Sequence, residues 1–178
     1  MNLEHDIPFA VVALIRSGTK ILATSRRDEA GQWGLPGGKI DTGEEPLEAL
    51  IREVKEETNL DVLEAEFVFA RNDKLGKVLC FLVSDWLGTP KQIEKGVDVK
   101  WVSPSDLIAG PFGHWNVQLF LNMNIPFNPN YTYQVAWSSS SNEYVGTCDQ
   151  FPTLMSFDKD PDKAWNGIRT LVKEFGHG

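Results

Sequence analysis

Hydrophobic and polar positions along the chain mark out a series of short elements. Phe9 to Ile15 is an apolar run rich in β-formers. Ser17-Gly18-Thr19-Lys20 is a turn signal, and Ile21 to Ser25 resumes the strand pattern, so the pair reads as a β-hairpin. A polar stretch holding Gly31 and Gly34 reads as a loop leading to Gly37-Gly38. From Pro46 to about Thr58 the spacing changes: Leu47, Leu50, Ile51 and Val54 recur at i, i+3, i+4 and i+7, one apolar stripe of a helix. Pro46 suits its first turn, and Asn59 suits the left-handed position just past its end. Phe67 to Ala70 and Val78 to Trp86 predict two strands turning near Gly76, Val97 to Val102 a short strand, and Trp115 to Met123 a second helix.

Ile125-Pro126-Phe127-Asn128-Pro129-Asn130 breaks every periodicity. The expected organisation is a domain over residues 1–125, a linker over 126–130 and a small domain over 131–178. In the last, strands are predicted at Thr132 to Trp137, Glu143 to Thr147 and Leu154 to Phe157. A helix follows from Pro161 to Phe175, burying Trp165, Ile168, Leu171, Val172 and Phe175.

Composition narrows the class. The 178 residues are 42% hydrophobic and 24% charged, the balance of an ordinary globular protein long enough to bury a core. The formal charge of −8 lacks the basic face that non-specific nucleic-acid binding needs. It leaves nucleotide chemistry open, because a metal ion can supply positive charge locally. Cys80 and Cys148 have no framework spacing and read as free thiols of a reducing compartment. The N-terminal residues lack the pattern of a signal peptide, and no stretch approaches the roughly 20 apolar residues of a membrane helix. The expected location is the cytoplasm.

The chemistry concentrates on the first helix. Glu53, Glu56 and Glu57 stand at i, i+3 and i+4, so their carboxylates share one face beside the apolar stripe. Clustered carboxylates repel one another unless a cation sits among them, and Mg²⁺ accepts such hard oxygen ligands along with water and phosphate. A bare acidic face is more often merely solvated. Here, however, a Gly-Gly turn and Glu44 precede the helix, and Arg52 adjoins the acids. Arg52 can pair with Glu44 and fasten the loop, and glycine lets backbone approach a metal or phosphate closely.

The run from Gly38 through Glu44 to Arg52-Glu53-Val54-Lys55-Glu56-Glu57-Thr58-Asn59-Leu60 resembles the Nudix box. That pattern is a glycine, five residues, a glutamate, seven residues, then R-E-U-x-E-E-x-G-U with U aliphatic. The one departure is Asn59 for glycine, and asparagine is the next most tolerant of a left-handed backbone. The resemblance implies an α+β fold: an α/β/α sandwich around a mixed sheet, extending from about Ile7 to Asn124. It also implies water attack on a diphosphate bridge with a nucleoside monophosphate as product, in a Mg²⁺-dependent hydrolase for which Mn²⁺ can substitute.

On that resemblance Gly37 (through its carbonyl), Glu53, Glu56 and Glu57 are expected metal ligands. Glu53 is a ligand or the water-orienting base, and Gly38, Glu44 and Arg52 brace the site. A further acid is expected before Trp101-Val102, Glu94 in preference to Asp98. Arg26 or Arg27 is a phosphate contact. Asn116, within Gly110 to Asn116, resembles the purine reader of MutT-like members, while Trp33 and Trp115 are base-stacking or packing residues. His5, His114 and His177 form no ligand pattern. The expected substrate is a nucleoside triphosphate, with ADP-ribose or another nucleoside-diphosphate derivative as the alternative. A nucleotide-sensing binding protein is the alternative of another class.

Residues Tyr133-Gln134-Val135-Ala136-Trp137-Ser138, Glu143 to Cys148, Phe151 to Leu154 and Asp160 to Ala164 resemble the small β-β-β-α domain of HicB-type antitoxins. That resemblance implies an interaction module and homo-oligomerisation.

Overall fold

A computed structural model of the chain describes residues 8–26, 29–73, 76–93, 96–127, 132–149 and 151–175. Contacts divide it into two compact units, Met1–Leu107 and Ile108–Gly178.

The first unit is built on a mixed sheet. β1 (Pro8–Ser17) and β2 (Lys20–Arg26) form the expected hairpin, with Arg16 opposite Ile21. β3 (Glu29–Gly34) and β7 (Val99–Val102) pair antiparallel with β2. β6 (Gly76–Leu87) runs parallel to β1, and the long hairpin partner β5 (Asp61–Asp73) lies outside it. β4 (Gly37–Lys39) pairs antiparallel with β1, placing Gly38 opposite Val11 and Gly37 opposite Val12. Residues 29–34, read as a loop, are therefore a strand. Their glycines and polar side chains carry no alternating apolar signal, and pairing with β2 supplies the order that the side chains do not.

α1 (Pro46–Thr58) covers one face of this sheet. It begins where expected, with Pro46 at its start and the Glu48 carboxylate accepting a hydrogen bond from the Glu45 N–H at 3.1 Å. Ala49, Leu50 and Val54 are buried against Val11, Ala13, Ile15 and Leu22. Leu47 and Ile51, read as part of the same stripe, stay 42% and 41% exposed. The buried face is thus narrower than the apolar one. Asn59 closes the helix at φ 65°, ψ 13°, its N–H donating to the Lys55 carbonyl at 3.0 Å.

α2 (Pro104–Ile108) is a short helix that the apolar pattern did not separate from its surroundings. It opens where Asp106 accepts hydrogen bonds from the Ser103 N–H and hydroxyl, at 2.8 and 2.7 Å.

The second unit holds α3 (Gly113–Asn122) and three antiparallel strands in the order β10 (Met155–Asp158), β9 (Glu143–Cys148), β8 (Tyr133–Ser138). α4 (Pro161–Phe175) packs on this sheet, where Trp165, Ile168 and Val172 are buried as expected. Gly146 lets the sheet meet the helix closely, since a Cβ there would overlap the Ala164 carbonyl. The helix read as the last element of a first domain, α3, clusters instead with these elements. His114 Nδ1 lies 3.1 Å from Asp162 Oδ1, and the His114 and Trp165 rings are 6.0 Å apart. The expected linker lies partly outside the described residues. Among those residues no helix is long and apolar enough to cross a membrane.

The left-handed cap makes a specific demand on stability. Asn59→Gly should hold or raise the urea midpoint, and Asn59→Leu should cost about 1–2 kcal/mol. Equal midpoints for the glycine and leucine variants would show that the cap carries no strain.

Candidate active site

The β1–β4 pairing fixes the floor of the site. Ala13 N–H donates to the Pro36 carbonyl at 2.8 Å, and Ile40 N–H to the Phe9 carbonyl at 2.9 Å, so both ends of β4 are sewn to β1. Gly37 has φ 152°, and a Cβ on it would overlap the Val11 carbonyl. A Cβ on Gly38 would drive into the Glu53 carboxylate. The two glycines therefore let α1 and β4 approach until side-chain carboxylates of one meet backbone of the other.

Glu57 makes that meeting directly: its Oε2 accepts from the Gly37 N–H at 3.0 Å. Burial pushes its carboxyl up to about 7; the Gly37 N–H and the Thr24 hydroxyl pull it down, while Glu53 and Glu56 add repulsion. Glu53, Glu56, Glu57 and Ile93 line one concavity of about 410 Å³.

Arg52 organises the flank. Its Nε and Nη2 donate to Glu44 Oε1 and Oε2, both at 2.9 Å, a bidentate fork. Nη2 also donates to the Lys39 carbonyl at 3.0 Å, and Nη1 to Glu53 Oε1 at 2.8 Å. One guanidinium thus ties the pre-helix loop, β4 and an acidic side chain together. Its hydrogen bonds hold the Glu44 carboxyl at about 2, and Glu44 in turn accepts from the Asp41 N–H at 3.0 Å.

Other expected residues fall elsewhere. Arg26 ends β2, and Arg27 and Glu94 lie outside the described residues. Asp98 is anchored by its backbone, donating to Ser25 Oγ at 2.8 Å and accepting from the Ser25 N–H at 2.9 Å. Trp33 lies on β3, with Lys100 Nζ 6.0 Å from its ring. Asn116 lies in the second unit and is only 5% exposed, and Trp115 beside it is half-buried.

Sequence reasoning missed Thr24, Ser25 and Ile93. Thr24 had a visible signal: it is polar at a position two residues from Leu22, on the face the strand period turns toward α1.

The donor set fits a hard divalent cation. It consists of carboxylate oxygens, one of them raised in pKa, in an open concavity. Among the described residues no group of three or more histidine, cysteine, aspartate or glutamate side chains stands arranged to hold a metal ion. Open coordination completed by water and phosphate is what Mg²⁺ sites on phosphate enzymes use.

The fold and this geometry agree with comparison to known proteins. The chain matches the NUDIX domain family over residues 5–122 and belongs to that family. It is a Nudix hydrolase of MutT-like kind. An 8-oxo-dGTP diphosphatase of Haemophilus influenzae is 38% identical over 97 residues, 52% of this chain and 71% of that protein. A CTP pyrophosphohydrolase of Escherichia coli is 30% identical over 116 residues, 61% of this chain and 85% of that one. The NUDIX domain of Shewanella oneidensis NrtR, solved with ADP ribose, is similar at a TM-score of 0.52 and 26% identity, over 66% of this chain and 86% of that one.

The raised Glu57 carboxyl gives a pH signature to the metal-free protein. The folded state holds this proton more tightly than an unfolded chain does. Its contribution to stability is therefore full below about pH 4.5 and lost as pH rises through about 7. In EDTA, Glu57→Gln should stabilise the protein more at pH 8 than at pH 5, by on the order of 2 kcal/mol from urea midpoints. An equal difference at both pH values would show a carboxyl that titrates normally.

Proposed function

We propose that the protein is a Mg²⁺-dependent pyrophosphohydrolase that converts a nucleoside triphosphate to its monophosphate and pyrophosphate. The observation that carries this reading is the convergence of Glu53, Glu56 and Glu57 on one concavity, with Glu57 fixed to the Gly37 backbone. The relatives named for 8-oxo-dGTP and CTP support a triphosphate.

Glu56 and Glu57, with the Gly37 carbonyl, would hold the cation, and Glu53 would hold it or orient the attacking water. Held there, a cation would supply the positive charge that offsets the polyphosphate and the charge developing on it. The Glu57 carboxylate is held through Oε2 by the Gly37 N–H at 3.0 Å. Glu53 shares Oε1 with Arg52, which limits its rotation. The Arg52–Glu44 fork keeps the loop over residues 39–45 in register with the helix. Arg26 or Arg27 is assigned to phosphate, Glu94 to proton transfer and Asn116 to the base. Asn116 is enclosed within the second unit, so base reading there requires α3 to expose it.

ADP-ribose hydrolysis is the second reading, favoured by the ligand in the NrtR complex. A screen of nucleoside triphosphates, ADP-ribose and dinucleoside polyphosphates with Mg²⁺ separates the two. Release of pyrophosphate from a triphosphate is the expected result, and turnover of ADP-ribose alone would transfer the assignment. No turnover on any of them would favour a sensor. Glu57→Gln should lower kcat at least about 100-fold while the protein stays folded, and full activity would refute the metal assignment.

The second unit is assigned as a HicB-like interaction module through which the chain self-associates. Ala136, Val145 and Phe157 stand in register across β8, β9 and β10. They face away from Gly146 and the helix it packs on, and Phe157 is half exposed. Phe157→Asp in the full chain should reduce the particle mass measured by light scattering. An unchanged mass would remove this sheet face from any assembly.

A further inference from the structure

Ile93 lines the concavity of Glu53, Glu56 and Glu57 and is 50% exposed. A single exposed apolar side chain is ordinary on a protein surface. The placement of this one is built by the fold. Gly88, the first residue after β6, has φ 98°, and a Cβ on it would lie 3.1 Å from the Asn59 carbonyl oxygen. Three residues later the Lys91 N–H donates to the Thr58 carbonyl at 3.1 Å, one of the carbonyls that a helix end leaves open. Both contacts are with the C-terminal end of α1, where Thr58 directly follows Glu57. The helix that supplies the three acids therefore also fastens the segment that carries the isoleucine.

The chemistry around Ile93 says what it can serve. A cation and a polyphosphate chain are hydrated charges that gain nothing from an apolar neighbour and lose water against it. A sugar or a base carries apolar surface, and laying it on a half-exposed isoleucine removes both surfaces from water. A triphosphate has a charged phosphate at one end and a nucleoside at the other. An apolar side chain beside the acids thus favours one of the two ways of laying that chain across them.

We propose that Ile93 is a substrate-contact residue: its side chain packs against the nucleoside of the bound triphosphate and so turns the terminal phosphate away. This rests on the reading of the concavity as the site of triphosphate hydrolysis. The contact serves the nucleoside and not the cation, which takes oxygen ligands.

The test compares the wild type, Ile93→Ala and Ile93→Leu in the full chain, with a nucleoside triphosphate as substrate and inorganic tripolyphosphate, which lacks a nucleoside, as competitor. Ile93→Ala should raise KM about 5- to 20-fold with a smaller change in kcat. Ile93→Leu, close in volume, should stay within about threefold of wild type. The inhibition constant of tripolyphosphate should stay within about twofold across all three, because its charges have no use for the isoleucine. An unchanged KM in Ile93→Ala, or an equal loss for nucleotide and tripolyphosphate, would overturn the contact. Mn²⁺ titration without substrate, followed by electron paramagnetic resonance, tests the reading beneath it: Ile93→Ala should keep the wild-type Kd, and Glu57→Gln should raise it. Wild-type Mn²⁺ affinity in Glu57→Gln would overturn the metal assignment, and absence of turnover on every triphosphate by the wild type would overturn the substrate assignment; either takes this proposal with it.

Discussion

The contact on which the rest depends is the close approach of α1 to Gly37 and Gly38 of β4. Glu57 can accept the Gly37 N–H at 3.0 Å because neither glycine carries a Cβ and because β4 is sewn to β1 at both ends. Burial of Leu50 and Val54 against β1 and β2 presses the helix onto the sheet, and this apolar contact brings an acidic residue into a partly buried position. The carboxyl is then raised to about 7, a cost that a cation can offset and that a simple surface acid would not carry.

Two kinds of brace keep that arrangement from relaxing. Arg52 works from the exposed side, where a planar guanidinium reaches Glu44, Glu53 and the Lys39 carbonyl at once. The Gly37 N–H works from β4, where it holds Glu57 Oε2 at 3.0 Å. The acids that resemble one motif are thus oriented by the pre-helix loop and by β4, both within or beside that motif in sequence.

This explains what could be read beforehand. The helix from Pro46 to Thr58 and the strands of the second unit were legible because their side chains repeat at a helical or strand period over several turns or residues. The brace of Glu44 by Arg52 was legible because both lie in one local pattern. β3 was not, because Gly31 and Gly34 hide a strand whose order comes from pairing. The exposure of Leu47 and Ile51 was not, because an apolar stripe states what could be buried and not what is. The burial of Thr24 was passed over because a single polar residue in an apolar run reads as noise until its surroundings are known.

The placement of α3 shows a further limit of local pattern. Its residues fall within the span matched by the NUDIX family, 5–122, yet its contacts are with β8 and α4 of the second unit. A helix belongs to whichever surface its buried residues meet. Here those residues include His114, beside Asp162 and Trp165. His114 Nδ1 and Asp162 Oδ1 approach to 3.1 Å between α3 and α4. The second unit is then more than a β-β-β-α appendage. It is that motif completed by a helix whose sequence matches the enzyme family, and Asn116 is enclosed as part of it. Asn116, only 5% exposed, is thus placed by the packing of the second unit, away in sequence from the motif on α1.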